Sequence, residues 1–426
     1  MKRVVILCVW LFSVVAGHAQ LSLDECRRLA RENYPEIRQY DLVHQTEQYN
    51  LSNAARAWIP QLAFSAQATW QTDAPNFPKE LTGMLAQQGL EIPGLRKDQY
   101  KVALELNQTI WDGGKSVADK RIARAEASEQ KTMTDVDLYE LEGRVDDLYF
   151  GILLLDERIA QTNLTLNLLR SNLEKVRALQ RNGVAMQSDA DVLEAELLSV
   201  GQQLIQFESS CDSYRRMLGI FIGQKVGDRK LQRPSAVQPL SGESARPELA
   251  MFAAKIDRLT AQEKMVKSSS MPRLGFFAQG YYGYPGLDYM QGMMNSDWSW
   301  NAMLGVKLSW NFGAYYTQKN NLDKLRTSRQ QVEVQRDVFL FNMNLQAAQE
   351  NGDIARLRKA IADDDRIVAL RRSVREAAES KLRNGIIDTH DLLSKITDES
   401  TASMARSMRE IELLKAIYEY KHTINR

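Results

Sequence analysis

Few residues of this 426-residue chain could carry out covalent chemistry, and they do not converge. His18, His44, His390 and His422 are scattered, and so are Cys8, Cys26 and Cys211. There is no Cys/His metal spacing, phosphate-cradling glycine loop or nucleophile elbow, so the pattern gives no support for an enzyme and implies no cofactor. Ionisable groups do gather after two Arg-Asn-Gly triplets, Arg181-Asn182-Gly183 and Arg383-Asn384-Gly385. Ser188-Asp189-Ala190-Asp191 follows the first; Asp388, His390 and Asp391 follow the second. A glycine in the left-handed conformation ends a helix, and acids opening the next helix meet the positive end of its dipole. His390 reads as a solvated side chain, with pH sensitivity beside Asp391 as the sharper alternative.

The elements that position these turns are used twice. An X-Pro-X-Leu strand opener occurs as Ile59-Pro60-Gln61-Leu62 and as Met271-Pro272-Arg273-Leu274. Pro35 precedes Pro60 by 25 residues, and Pro247 precedes Pro272 by the same distance. Repetition in a fixed order points to one supersecondary unit duplicated: helix, strand, strand, very long helix, turn, helix. The chain therefore divides into a leader (1–19), a first repeat (20–223), a linking segment (224–245) and a second repeat (246–426).

Each repeat should hold two strands. Leu62, Phe64, Ala66, Ala68 and Trp70 alternate with Gln61, Ser65, Gln67 and Thr69, and Val102, Leu104, Leu106 and Ile110 with Lys101, Glu105, Asn107 and Thr109. Leu274, Phe276, Ala278 and Tyr282 repeat the pattern, as do Trp300, Ala302, Leu304, Val306, Leu308 and Trp310. Period-2 runs of about ten residues suit a membrane barrel, and equally a half-buried sheet in a soluble domain. Aromatic residues near the strand ends (Trp70, Trp111, Trp300 and Trp310, with Tyr282 and Trp298) favour the barrel, because such rings collect at lipid–water boundaries. Four strands cannot enclose a lumen, since closure takes about eight, so a barrel requires further copies. Three copies would supply about twelve strands.

After Trp111-Asp112-Gly113-Gly114 a helical pattern runs to Arg181 without a proline; after Trp310-Asn311-Phe312-Gly313 another runs to Arg383. Leu141, Val145, Leu148, Ile152, Leu155 and Ile159 form a coiled-coil seam. About 68 helical residues give a rod on the order of 100 Å. Returning helices are expected from about Leu193 to Leu218 and from about Leu392 to Thr423, with shorter helices at about Leu23–Ala57 and Arg246–Lys267 before the strands. The charges along the rods, Asp363 to Arg366 among them, read as solvated surface.

Composition narrows the setting. Lys2 and Arg3, an apolar run from Val4 to Val15 and Gly17-His18-Ala19 form a secretory signal. The run is shorter than the roughly 20 residues that span a bilayer, which favours cleavage before Gln20. Without Lys2 and Arg3, 53 basic residues face 54 acidic ones, so no basic field invites nucleic acid. Cys26 and Cys211 are too few for a disulfide framework and read as packing residues.

Taken in order, the opening Leu21-Ser-Leu-Asp-Glu-Cys-Arg-Arg-Leu-Ala-Arg-Glu-Asn-Tyr-Pro-Glu36, the two strand openers, Trp111-Asp-Gly-Gly114 and the two Asn-Gly turns resemble the TolC-like outer-membrane efflux protein family. The resemblance covers essentially the whole chain after the leader. It implies a mainly α fold with a small β part: a homotrimer whose twelve-stranded outer-membrane barrel stands over an α-helical periplasmic tunnel. It also implies a periplasmic adaptor and an inner-membrane efflux pump as partners. In family members aspartates just past the second turn narrow the periplasmic end, and Asp391 falls on that pattern. The next expected aspartate is Ser394 here, Asp388 offers a substitute, and the family's basic residue after the turn has no match at Ile387. A ring of carboxylates at such a constriction would attract cations. The same fold would equally serve type I protein secretion. A periplasmic coiled-coil scaffold without a barrel is the rival from another class, and membrane extraction separates it.

Overall fold

Proline and glycine set the element boundaries. The computed structural model describes residues 20–183, 185–237 and 244–425, and the expected leader lies outside them. Tyr34 is extended (ψ 128°) because the following proline disfavours helix there. The first helical stretch is accordingly split into α1 (Leu23–Asn33), a 3-10 turn (Pro35–Arg38) and α2 (Gln39–Arg56). There follow β1 (Gln61–Trp70), α3 (Lys79–Gln87), β2 (Asp98–Trp111), α4 (Lys115–Arg181) and α5 (Gln187–Ile222). The second repeat supplies α6 (Pro247–Ser269), β3 (Arg273–Tyr284), α7 (Tyr289–Met294), β4 (Ser299–Ser309), α8 (Ala314–Arg383) and α9 (Thr389–Ile424). The order follows the expected plan, with α3 and α7 added between the strands of each pair.

The chain forms two units, each drawing on both repeats. One comprises Asp41–Lys131 and Phe252–Val334 and contains the sheet. Its strands pair antiparallel in the order β1-β2-β3-β4. The register aligns Phe64 with Leu104, Leu104 with Gly280 and Gly280 with Ala302. Because strand side chains alternate, every even-numbered strand position then falls on one face. A bulge between Thr109 and Trp111 sets Trp111 opposite Leu274, on that same face.

Among the described residues the other unit comprises 20–40, 132–183, 185–237, 244–251 and 335–425, and it is helical. Its larger core packs Cys26 and Ala30 of α1 against Leu138, Leu141, Val145 and Tyr149 of α4, Leu218 of α5 and Ile411 of α9. The Tyr149 hydroxyl lies within hydrogen-bonding distance of the carbonyls of Leu21 (2.7 Å) and Gln232 (2.6 Å), which share its one proton, and so ties the segment before α1 to the linking segment. Burial pushes the Cys26 thiol up to about 12, as expected of an inert packing residue. Asp364 departs from the solvated-surface reading: it is buried and pairs with Arg409 of α9. Arg375 joins Glu399 and Glu379 in a second part-buried network, which Lys175 of α4 extends to Glu379 at 3.3 Å.

His422, near the end of α9, stacks on Tyr139 of α4 with ring centroids 4.2 Å apart. Burial lowers its pKa to about 4, helped by the positive charges of Arg246 and Arg27 and opposed by Glu248 and Asp147. An imidazole depressed below its unfolded value of about 6.5 stabilises the fold above that value, and the contribution disappears as pH falls toward about 4. The expected outcome is a loss of up to about 3 kcal/mol between those limits. His422→Gln should flatten that part of a stability–pH curve, and an unchanged slope in the variant would assign the loss to other groups.

Candidate functional site

The two Asn-Gly turns are brought to one hydrophobic cluster. Leu173 and Val176 (α4), Ala190 and Leu193 (α5), Ala378 (α8), and Leu392 and Ile396 (α9) form it. Ala185 and Ile387, just past the two glycines, pack against it. The position where a basic residue was expected therefore makes an apolar contact instead.

Both glycines hold positive φ, +74° at Gly183 and +69° at Gly385. At the second turn the Gly385 N–H donates to Leu382 O and the Ile386 N–H to Lys381 O, each at 3.0 Å. These two bonds define a Schellman cap, with Asn384 as the last half-helical residue. Asn182 occupies the corresponding place before Gly183, whose N–H donates to Gln180 O at 2.9 Å. A Cβ at Gly385 would meet nothing within 4 Å, so only the backbone conformation demands glycine there. Gly385→Val should cost about 1–2 kcal/mol, and Gly385→Asn clearly less because Asn tolerates this region. Equal losses in thermal unfolding of the two variants would count against the turn.

The carboxylates beside the turns differ in their work. Asp388 caps α9, its side chain accepting the Asp391 N–H at 2.8 Å. Asp189 accepts the Met186 N–H at 2.8 Å, and Asp191 accepts from Gln187 Nε2 at 2.7 Å. Asp391 is exposed, and its carboxylate has no hydrogen-bond or ionic partner among the described residues. Of the four, only Asp391 is uncommitted among the described residues.

The sheet presents two chemically distinct faces. The even-numbered face is apolar and bare: Phe64 is 72 % exposed, Leu304 76 % and Trp300 82 %. A sheet in a soluble domain would bury such a face against a second layer. Trp70 and Trp300 lie at the rim bearing the loops within each strand pair, where Tyr100, Tyr282 and Trp298 also cluster, Tyr282 and Trp300 with centroids 5.0 Å apart. Trp111 and Trp310 lie at the opposite rim, and Trp310 Nε1 donates to Ser270 O at 3.1 Å. The other face carries a network that the strand pattern did not foretell: Gln279 Nε2 donates to Glu105, and Lys101 Nζ donates to Gln279 Oε1 at 3.0 Å. The meeting of these polar side chains depends on the register, which sets Glu105 opposite Gln279.

A four-stranded amphipathic sheet together with helices of 67 and 70 residues defines the class of outer-membrane channel proteins. Residues 27–223 match the family described as outer membrane efflux protein. The chain shares its fold with the outer-membrane channel OprN (TM-score 0.69, 14 % identity, 94 % of this chain and 89 % of that one). It likewise matches VceC from Vibrio cholerae (0.68, 14 %, 94 % and 95 %). The open state of the Neisseria gonorrhoeae MtrE channel gives 0.64 at 14 % identity, covering 94 % and 88 %. No curated protein sequence matches the chain significantly. Over residues 27–223 the chain thus matches the outer membrane efflux protein family, whose members are channels and not enzymes, and over nearly its whole length it has the fold of solved outer-membrane channels. Such proteins sit in the outer membrane with a periplasmic helical tunnel, form homotrimers and work with adaptor and pump partners.

Proposed function

We infer that three copies of this chain close a twelve-stranded barrel, and that the resulting duct carries solutes from the periplasm to the outside. A periplasmic adaptor and an inner-membrane pump would supply them. The bare apolar face is the observation that supports this reading, with outer-membrane lipid as the partner that covers it. The unpaired edges of β1 and β4 add to it, because an open sheet edge in hydrocarbon leaves backbone groups unsatisfied at several kcal/mol each. Joining β4 of one copy to β1 of the next removes every edge.

Asp391 is assigned to the narrow periplasmic end. Its carboxylate is free to face a pore, whereas Asp388 is held by its capping bond. Three Asp391 carboxylates would favour cations at that point. Asp391→Ala should therefore lower cation selectivity in planar-bilayer recordings; unchanged reversal potentials would remove Asp391 from the pore lining.

A further inference from the structure

Across the four strands in register, charge is segregated by face. On the apolar face the even-numbered positions are uncharged apart from Asp98 at the rim. The polar face carries Lys101, Glu105, Arg273 and Lys307, three bases against one acid. Glu105 and Lys101 are joined through Gln279, and Lys101 Nζ also sits 4.6 Å from the Tyr281 ring centre. Arg273 and Lys307 are exposed and have no ionic or hydrogen-bond partner among the described residues. Arg273 stands opposite Ser309 and Lys307 opposite Gly275, so the two bases are diagonal neighbours on one face.

Both line a cleft of about 510 Å³ that also contains Asp112, Lys115 and Asp119. The acids of that cleft are already engaged. Asp112 accepts the N–H groups of Gly114 (2.9 Å) and Ser116 (2.6 Å), and Asp119 pairs with Lys115 at 2.8 Å. β1, the strand that a second copy would set beside β4, carries no acid on this face, which consists of Gln61, Ala63, Ser65, Gln67 and Thr69.

We propose that Arg273 and Lys307 form an anion-attracting ring on the water-facing side of the sheet, favouring passage of solutes that carry carboxylate, sulfonate or phosphate groups. The proposal rests on the barrel reading, which makes this face the lumen wall and repeats the pair three times. Six unneutralised cations around a confined, low-dielectric wall raise the local concentration of anions and deplete cations.

Thiol modification of the protein in outer membranes tests it without requiring the periplasmic end to open. Cys26 and Cys211 are buried, so a cysteine introduced at Ser309, opposite Arg273, provides the reporting thiol. Ser309→Cys should react with an anionic sulfonatoethyl methanethiosulfonate faster than with the cationic trimethylammonioethyl reagent, by about threefold or more relative to a small free thiol. Adding Arg273→Gln and Lys307→Gln should return the ratio to that of the free thiol. High salt should do the same, because the screening length at 1 M is about 3 Å. A ratio equal to the free thiol's at low salt, one indifferent to the two glutamines, or no reaction at all would overturn the proposal. Leu304→Cys on the apolar face separates this from failure of the barrel reading. Lipid should shield it from both reagents, and reaction as fast as Ser309→Cys would refute the barrel and the ring together.

Discussion

Leu304→Arg is expected to reduce the folded, membrane-inserted protein to a small fraction of the wild-type yield. Leu304 lies midway along β4, opposite Ala278 on the bare apolar face. An arginine on the lipid face of a barrel near the midplane costs about 2–4 kcal/mol. In a trimer the cost is incurred three times, comparable with the whole stability of an ordinary domain, about 5–15 kcal/mol. Met303→Arg, one residue away on the polar face, should accumulate almost normally, since its side chain would enter water. The two variants differ in face and hardly in position. Equal yields in the outer-membrane fraction would mean that lipid does not contact the even-numbered face.

Asp146→Ala should cause the largest loss in the helical unit, about 3–5 kcal/mol. Asp146 is buried and accepts from Arg27 Nε at 2.7 Å, with a second bond from the same guanidinium. Arg27 also lies 5.8 Å from the Tyr418 ring centre, so α1, α4 and α9 meet at this one side chain. Removing the carboxylate leaves the part-buried guanidinium with only the long contact to the exposed Asp24 at 3.8 Å, which costs more than the pair itself contributes. Arg27→Met combined with Asp146→Leu should recover most of the loss, because neither charge then has to be desolvated. Denaturation of the three variants in detergent checks this. A single-variant loss below about 1 kcal/mol would show that water reaches Arg27.

The parts of this fold that were legible in the sequence are those set by local rules. Alternation at Leu62–Trp70 and Trp300–Leu308 identified strands and their apolar face, since side-chain direction depends only on backbone period. Gly183 and Gly385 were readable as helix ends because a left-handed residue there is nearly always glycine. Pro35 breaks the stretch from Leu23 to Ala57, expected as one helix, because the residue before a proline is driven out of the helical region. α9 begins at Thr389, three residues ahead of the expected Leu392, because Asp388 caps it and fixes its start. α7 escaped notice, although Asp288 caps it by accepting the Gln291 N–H, since six residues within a glycine-rich loop give no periodicity. The Lys101–Gln279–Glu105 network, the burial of Asp364 and the free Arg273–Lys307 pair all depend on which strand or helix lies alongside. No pattern within a single segment encodes that. Duplication supplied the order of elements, and register supplied their chemistry.

Particle mass after membrane extraction tests the central claim most directly. The protein should resist release by high salt, enter solution only with detergent, and then have the mass of three chains around a detergent belt. Recovery of a folded, lipid-free single chain after a salt wash would contradict the account, for such a species would have to keep its open strand edges and its apolar sheet face in water.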